Sequence, residues 1–354
     1  MQYFFKRTSG ILIMSLLAVV VAFVLCAAML LLQGFDPWKT FGAILYGAAG
    51  NIESVFSSVS AAMPLAIAAM GVIIAFKACV YNIGVEGQLF VGGLFATIVG
   101  TNFAFLPAPI HLPLSLLAGA LGGSLWALLP ALMKTERGFN EVITTVLMNY
   151  VGIYFTSYAV SGPLRPEGAF VNQSAPILET AVLPRLVPRY ELNGGLILML
   201  VLLALVWFFI NRSDWGYRIR AVGSNPFAAQ SFGIDTKRVT LNVFLLSGAL
   251  AGLAGSVEVL GNQGVLAENF AVGMGYNSIS VALLGGVTAP GAVLAALFMG
   301  CLRNGGIMMQ IKMGVSSTLI NMIQAILILT VLCFSTVKIV WRRTKKTGGA
   351  GTDA

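Results

Sequence analysis

The sequence predicts an all-α, polytopic membrane protein with about ten transmembrane helices, some of them discontinuous, and both termini in the cytoplasm. Three observations lead there. Of 354 residues, 58% are hydrophobic and only 10% are charged, with a mean hydropathy of +0.89. A soluble domain carries roughly 25% charged residues, so this chain could not cover a water-facing surface. The apolar residues come in long runs, not in amphipathic stripes, and about 20 in a row cross a bilayer. The basic residues, finally, fall between those runs on alternate sides.

Ten runs stand out, at roughly 11–33, 56–76, 83–101, 112–133, 140–160, 193–211, 239–260, 276–288, 290–303 and 314–337. The first follows Lys6-Arg7 in the manner of a signal peptide. Its 22 apolar residues, Ile11–Leu32, are too many for one and lack a clear small-residue cleavage site, so they read as a retained span. The eighth and ninth are short and broken by Gly285-Gly286 and Thr288-Ala289-Pro290-Gly291. Short segments interrupted by Gly and Pro point to discontinuous helices beside a transport pathway. The transmembrane domain covers 1–340, and 341–354 is a basic cytoplasmic tail that begins at Trp341–Lys346.

With the N-terminus inside, the inner side receives Lys6, Arg7, Lys77, Lys134, Arg137, Arg212, Arg218, Arg220, Lys237, Arg238, Lys338, Arg342, Arg343, Lys345 and Lys346. That is 15 of the 21 Lys and Arg, leaving Lys39, Arg165, Arg185, Arg189, Arg303 and Lys312 outside. The bias follows the positive-inside rule. The same placement sets the net charge of +8 beside lipid and argues against nucleic acid, which would need a basic stripe on a soluble face.

Two connections are long. Residues 161–192, rich in Pro, fall outside, and 212–238 fall inside. Within the second, Asn225 and Pro226 are the N-cap and first residue of a short helix that Gly233 stops. Flanked by Arg218, Arg220, Lys237 and Arg238, it suits either a protein partner or lipid headgroups. Residues 57–160 and 240–336 each hold four segments with a Gly-rich polar break after the first, a weak internal repeat.

Ionisable and amide groups within the runs are the candidates for function. Asn82, Glu86 and Gln88, spaced by Gly84 and Gly87, could hydrogen-bond sugar hydroxyls or base edges along a pathway; capping of a helix start is the competing structural role. Asn149 lies deep in the fifth run, behind Asn140, Glu141, Thr144 and Thr145. Glu258, Asn262, Gln263 and Glu268 surround the seventh run, and Asn321 and Gln324 lie in the tenth. Phe76, Tyr81, Phe90 and Tyr154 could stack on a ring, though packing is the commoner use of such residues. The pairs Gly119/Gly123 and Gly248/Gly252 favour close helix approach. His111 reads as a residue of a Pro-flanked loop, and Cys26, Cys79, Cys301 and Cys333 as packing thiols. No phosphate loop, metalloprotease or serine-hydrolase motif, or Cys/His metal spacing occurs in the sequence. Catalysis, metal binding and ATP binding through a phosphate loop are therefore not expected of this chain.

The run Phe76–Gln88 (FKACVYNIGVEGQ) resembles the signature F-R-A-G-x-F-N-I-G-x-E-G-Q of permeases from nucleoside and simple-sugar ABC importers. Asn140–Tyr150 (NEVITTVLMNY) is similar to their N-E-V-I-x-T-x-M-L-N-Y, and Arg220–Ile234 to R-A-x-G-x-N-x-x-A-A-x-x-x-G-I. Gly273-Met274-Gly275-Tyr276 and Val281–Gly285 match a further run. Cys79 stands where the family has Gly, and Leu147-Met148 reverses the usual order. The intact first two motifs favour the nucleoside branch over simple-sugar, riboflavin or branched-chain amino-acid permeases. The resemblance implies a second permease subunit, read as a different chain, two cytoplasmic ATP-binding subunits that use ATP and Mg, and an extracytoplasmic substrate-binding protein. It makes 220–234 the coupling helix, with Arg220, Gly223, Asn225, Ala228, Ala229 and Gly233 as its residues, and it implies no cofactor on this chain. An ion-driven secondary carrier is the mechanistic rival and an intramembrane enzyme the rival from another class.

Overall fold

The computed structural model describes residues 20–316, 318–330 and 333. Among them the regular structure is helical, with two isolated β-bridges, Gln173–Ala267 and Arg185–Asn193. The chain divides into two compact units, the larger spanning Ile52–Cys301 and the smaller built from the residues on either side of it.

In the smaller unit, α1 (Val20–Leu32) and α2 (Pro37–Ala49) meet at 118°. The bend has a local cause. Asp36 caps α2 by accepting from Trp38 and Lys39 N–H, and Pro37 fixes its first turn. Cys26, Leu30, Ala43, Met309, Leu319 and Ile323 form its core, so the Cys26 thiol does serve packing. The end of α12 (Ala289–Met313) and α13 (Thr318–Thr330) complete it.

The larger unit contains α3 (Ile52–Lys77), α4 (Val85–Asn102), α5 (Ala108–Arg137), α6 (Glu141–Ser161), α7 (Gly195–Arg212), α8 (Asp214–Ser224), α9 (Pro226–Ser231) and α10 (Thr236–Val257). A π-turn at Glu258–Gln263, α11 (Met274–Leu284) and the start of α12 follow. Burial orders these helices. The most apolar 18-residue stretch is 83% buried in α3 and 78% in α10 with its π-turn, against 33% in α5 and 22% in α7. α3 and α10 are the axis, and α5 and α7 form the rim. The rim helices expose aliphatic stripes such as Leu117, Leu121, Leu125 and Leu129, the surface expected against lipid.

The axis is tight because glycines meet on it. A Cβ on Gly252 would lie 2.1 Å from Gly119 O, one on Gly123 2.2 Å from Gly248 O, and one on Gly92 2.2 Å from Gly252 Cα. The two GxxxG pairs expected from the sequence therefore pack on each other, with α4 joining them. Without a hydrophobic driving force inside lipid, this close backbone approach supplies helix association.

Five described helices are long and apolar enough to cross a membrane, or six if the bent α1–α2 pair counts as one, against about ten expected runs. α4 and α6 fall short because they carry polar residues, Glu86 and Gln88 in one and Glu141, Thr144, Thr145 and Asn149 in the other. α11 and α13 are simply short. The expected break at Gly285-Gly286 and Thr288 does end α11, but α12 then runs 25 residues, beyond the ninth expected run. α2 was not expected, since Asp36, Trp38 and Lys39 interrupt its apolar pattern. His111 lies in the first turn of α5 and not in a loop, fully buried between Thr180 Oγ1 at 2.7 Å and Val99 O at 3.0 Å. The start and tail of the chain, including residues 11–19 of the first expected run, lie outside the described residues.

The glycine contact predicts that Gly252→Ala lowers the melting midpoint of the detergent-solubilised protein by several degrees, because backbone must shift to admit the methyl. Gly42→Ala, where nothing lies within 4 Å, should hold or raise it. Equal midpoints for the two variants would remove the glycine contact as the source of the tight axis.

Candidate functional site

The helix break between α3 and α4 brings the sequence candidates together. Asn82, Glu86, Gln88 and Asn149 are all at most 1% exposed. Asn82 and Gln88 form a reciprocal amide pair, with Asn82 Nδ2 donating to Gln88 Oε1 at 3.0 Å and Gln88 Nε2 to Asn82 Oδ1 at 3.1 Å. Asn82 Nδ2 also donates to Ser247 Oγ on α10 at 2.9 Å, while its Oδ1 accepts from Gly84 N–H. Asn149 reaches across from α6. Its Oδ1 accepts from Gly87 N–H at 2.9 Å, and its Nδ2 donates to Ile83 O at 2.8 Å and Tyr276 Oη at 3.0 Å.

Glu86 does not cap its own helix. Its carboxylate accepts from Gly273 N–H at 2.5 Å, Gly275 N–H at 2.6 Å and Tyr276 N–H at 3.3 Å, the free donors at the start of α11. α11 begins inside the fold and its N-cap, Gly273, offers no side chain, so its amide dipoles would be unsatisfied without this acid. Gly275 is required by the approach, because a Cβ there would lie 2.4 Å from Glu86 N. The break itself carries strain. Cys79 has φ +54°, in the left-handed region that glycine enters freely, which accounts for the Gly in the signature it resembles.

A second cluster lies at the π-turn. Glu258, 4% exposed, accepts from Asn262 Nδ2 at 2.7 Å and Gln263 Nε2 at 2.9 Å. The extra residue of a π-turn is what lets both amides reach back to one carboxylate. Asn193 Nδ2 donates to Asn262 Oδ1 at 2.9 Å, and the connecting segment 172–183 bonds along 260–268. Glu268 pairs separately with Asn172. The four aromatics do not converge: Phe76 meets Tyr81, Phe90 meets Phe270, and Tyr154 is exposed.

The 212–238 segment folds as α8 and α9. Asn225 caps α9 by accepting from Ala228 N–H at 3.0 Å, and Gly233 follows with φ +80°. Gly223 sits against the end of α3, where a Cβ would meet Lys77 O at 2.1 Å, and Ala229 is buried. Sequence reasoning did not select Phe227 and Phe232, which are 80% and 86% exposed; their places at either end of the short helix capped by Asn225 were the available signal. Tyr276, Asn277 and Ser280 were not selected either. They are accessible to varying degrees on α11, and a polar cluster at helical spacing within an apolar run marked them.

The family described as the permease component of branched-chain amino acid transport systems matches residues 54–332. The guanosine ABC transporter permease NupP of Bacillus subtilis is 37% identical over 97% of this chain and 99% of its own length. The glucose ABC transporter permease TsgB13 of Haloferax volcanii is 33% identical over 88% of this chain and 85% of its own. The nucleoside ABC transporter permease NupB of Lactococcus lactis is 28% identical over 82% of each. No solved structure matches the chain.

The capping role of Glu86 predicts an order of stabilities. Glu86→Ala strips the acceptor from three N–H groups and should cost about 3 kcal/mol, seen as a lowered melting midpoint, with Glu86→Gln falling between it and the wild type. A Glu86→Ala protein melting with the wild type would remove the carboxylate from its structural place.

Proposed function

Because the chain belongs to the family of permease components of branched-chain amino acid transport systems, we propose that it is the permease subunit of an ABC importer that carries purine and pyrimidine nucleosides across the cytoplasmic membrane. The observation that carries the substrate is the similarity to NupP over nearly the full length of both chains. The similarity to TsgB13, named for glucose, favours a simple sugar as the second reading.

In this reading the chain works with cytoplasmic ATP-binding subunits that bind ATP and Mg, a second permease subunit of different sequence, and an extracytoplasmic substrate-binding protein. Its termini are cytoplasmic and its expected spans number about ten. Asn82, Glu86, Gln88 and Asn149 belong to the wall of the pathway. Their polar atoms meet protein partners, so they fix the start of α11 there and leave Tyr276, Asn277 and Ser280 to face the solute. A half-helix beginning inside the bilayer is the arrangement by which transporters place backbone groups at a pathway.

α8 and α9 would form the coupling element, with Arg220, Gly223, Asn225, Ala228, Ala229 and Gly233 shaping it and Phe227 and Phe232 offered to the ATPase. Closure of the ATPase pair would displace this element and alternate the pathway between outward and inward access.

In proteoliposomes holding the complex with its ATPase and binding protein, internal or external ATP on the ATPase side should drive accumulation of guanosine and not of glucose, riboflavin or leucine. Accumulation of glucose instead would select the sugar reading, and uptake driven by an ion gradient with no ATPase in the purified complex would end both. A charge at Gly223 or Ala229 should abolish uptake, but both are packed within the chain. Phe227→Glu separates coupling from folding: insertion and melting should hold while substrate-stimulated ATP hydrolysis and uptake are lost. Normal stimulated hydrolysis in that variant would sink the assignment.

A further inference from the structure

Three carboxylates stand along the irregular stretch between α10 and α11, and two of them are satisfied. Glu86, 1% exposed, meets three main-chain donors, and Glu258, 4% exposed, meets two side-chain amides. Glu268 differs. It is exposed, and its Oε2 accepts from Asn172 Nδ2 at 3.0 Å, while its Oε1 has no donor among the described residues.

The depth of Glu268 decides what can face it. α4 packs on α5 and α10 through Gly92, and both of those helices are long and apolar enough to cross a membrane. The stretch 264–273 runs beside α4. At one end Ile177 N–H donates to Gly264 O and Leu178 N–H to Gly100 O. At the other the Phe270 ring meets Phe90 at 4.8 Å, and Gly273 N–H reaches Glu86. Counted from Val85 at 1.5 Å per residue, Phe90 and Gly100 stand about 8 and 22 Å along α4. Glu268 therefore lies beside the middle of a helix that crosses most of a hydrocarbon layer about 30 Å thick.

The backbone there has an open side. Ser174 N–H donates to Leu266 O and Glu268 N–H to Asn172 O, so Ala267 faces Gln173 as the bridge residue without bonds of its own. Its N–H and C=O turn away from that neighbour, and no described residue meets them. Neither open main-chain groups nor a carboxylate finds a partner in lipid at that depth, and backbone of this kind lines water. Each carboxylate oxygen has two lone-pair sites, so Oε1 and one site of Oε2 are left to accept, a set that suits two neighbouring hydroxyls.

We propose that Glu268 is the sugar-binding residue of the pathway, accepting from the vicinal ribose hydroxyls of the passing nucleoside while Asn172 holds the carboxylate in place. This rests on the nucleoside reading above and adds a contact to it.

The test uses the complete complex with its ATPase and binding protein in lipid. Glu268→Gln keeps the size of the side chain and an acceptor for Asn172. It should melt with the wild type and lower guanosine uptake roughly tenfold, the scale of one hydrogen bond to a charged group. The wild type should take up 2′-deoxyguanosine, which lacks one of the two hydroxyls, more slowly than guanosine, and the variant should lose several-fold of that preference. A merely structural role lowers both substrates alike, and an unchanged preference overturns the proposal. So does guanosine uptake by Glu268→Gln at the wild-type rate. With the four native cysteines replaced, a Glu268→Cys thiol should react with a water-soluble methanethiosulfonate; no reaction would put lipid or the second permease against it and overturn the proposal too. A wild type that accumulates glucose and not guanosine overturns the nucleoside reading alone. Glu268→Gln is then read on glucose uptake, where an undiminished rate overturns the hydroxyl contact as well.

Discussion

The interaction on which the larger unit depends is the Glu86 carboxylate against the start of α11. A buried acid inside a membrane protein costs several kcal/mol unless donors meet it, and a helix that starts inside the fold leaves its first amide groups in the same position. Each solves the other. Three N–H groups, from Gly273, Gly275 and Tyr276, meet one carboxylate from α4, so the discontinuity of α11 and the charge on α4 are a single structural fact. The glycines follow from it. Gly275 must be bare to admit Glu86, and Gly87 to admit α6, since a Cβ on Gly87 would lie 2.8 Å from Met148 O.

The π-turn repeats this solution at the end of α10. There too a buried acid, Glu258, meets donors at an irregularity, but the donors are the side-chain amides of Asn262 and Gln263 and not the start of a helix. Main-chain bonds from the connecting segment then fix the loop that leads to α11: Leu183 N–H to Leu260 O, Ile177 N–H to Gly264 O and Ser174 N–H to Leu266 O. Both ends of the irregular stretch 258–276 are thus held by a carboxylate, and its middle by the connection between α6 and α7.

Much of this was legible in the sequence. The GxxxG pairs, the cap at Asn225 and the stop at Gly233 each follow from a local rule, and each appears where the rule puts it. The polar candidates were also found, because Asn, Glu and Gln are conspicuous in an apolar chain. What they bind was not legible. Glu86 could be read as a cap of α4 or a group in a pathway, whereas it serves α11, nearly 190 residues away in sequence, and no spacing rule reaches that far. His111 failed for the same reason, its partners Thr180 and Val99 lying on two other segments.

The position of α8 gives the break at 78–84 a second meaning. Gly223 approaches so closely that any side chain there would strike the Lys77 carbonyl, the last residue of α3. The next seven residues are the break, and Asn82 and Glu86 hang from it. A displacement of the α8–α9 segment, as the proposed coupling requires, would therefore be applied to the chain just ahead of the Asn82–Gln88 pair and the Glu86 cap. The strained Cys79, at φ +54°, lies within that same short stretch. A close contact at one end, a hydrogen-bonded network at the other and a strained residue between them make this the stretch through which, in the proposed reading, α8 and α9 would act on the start of α11.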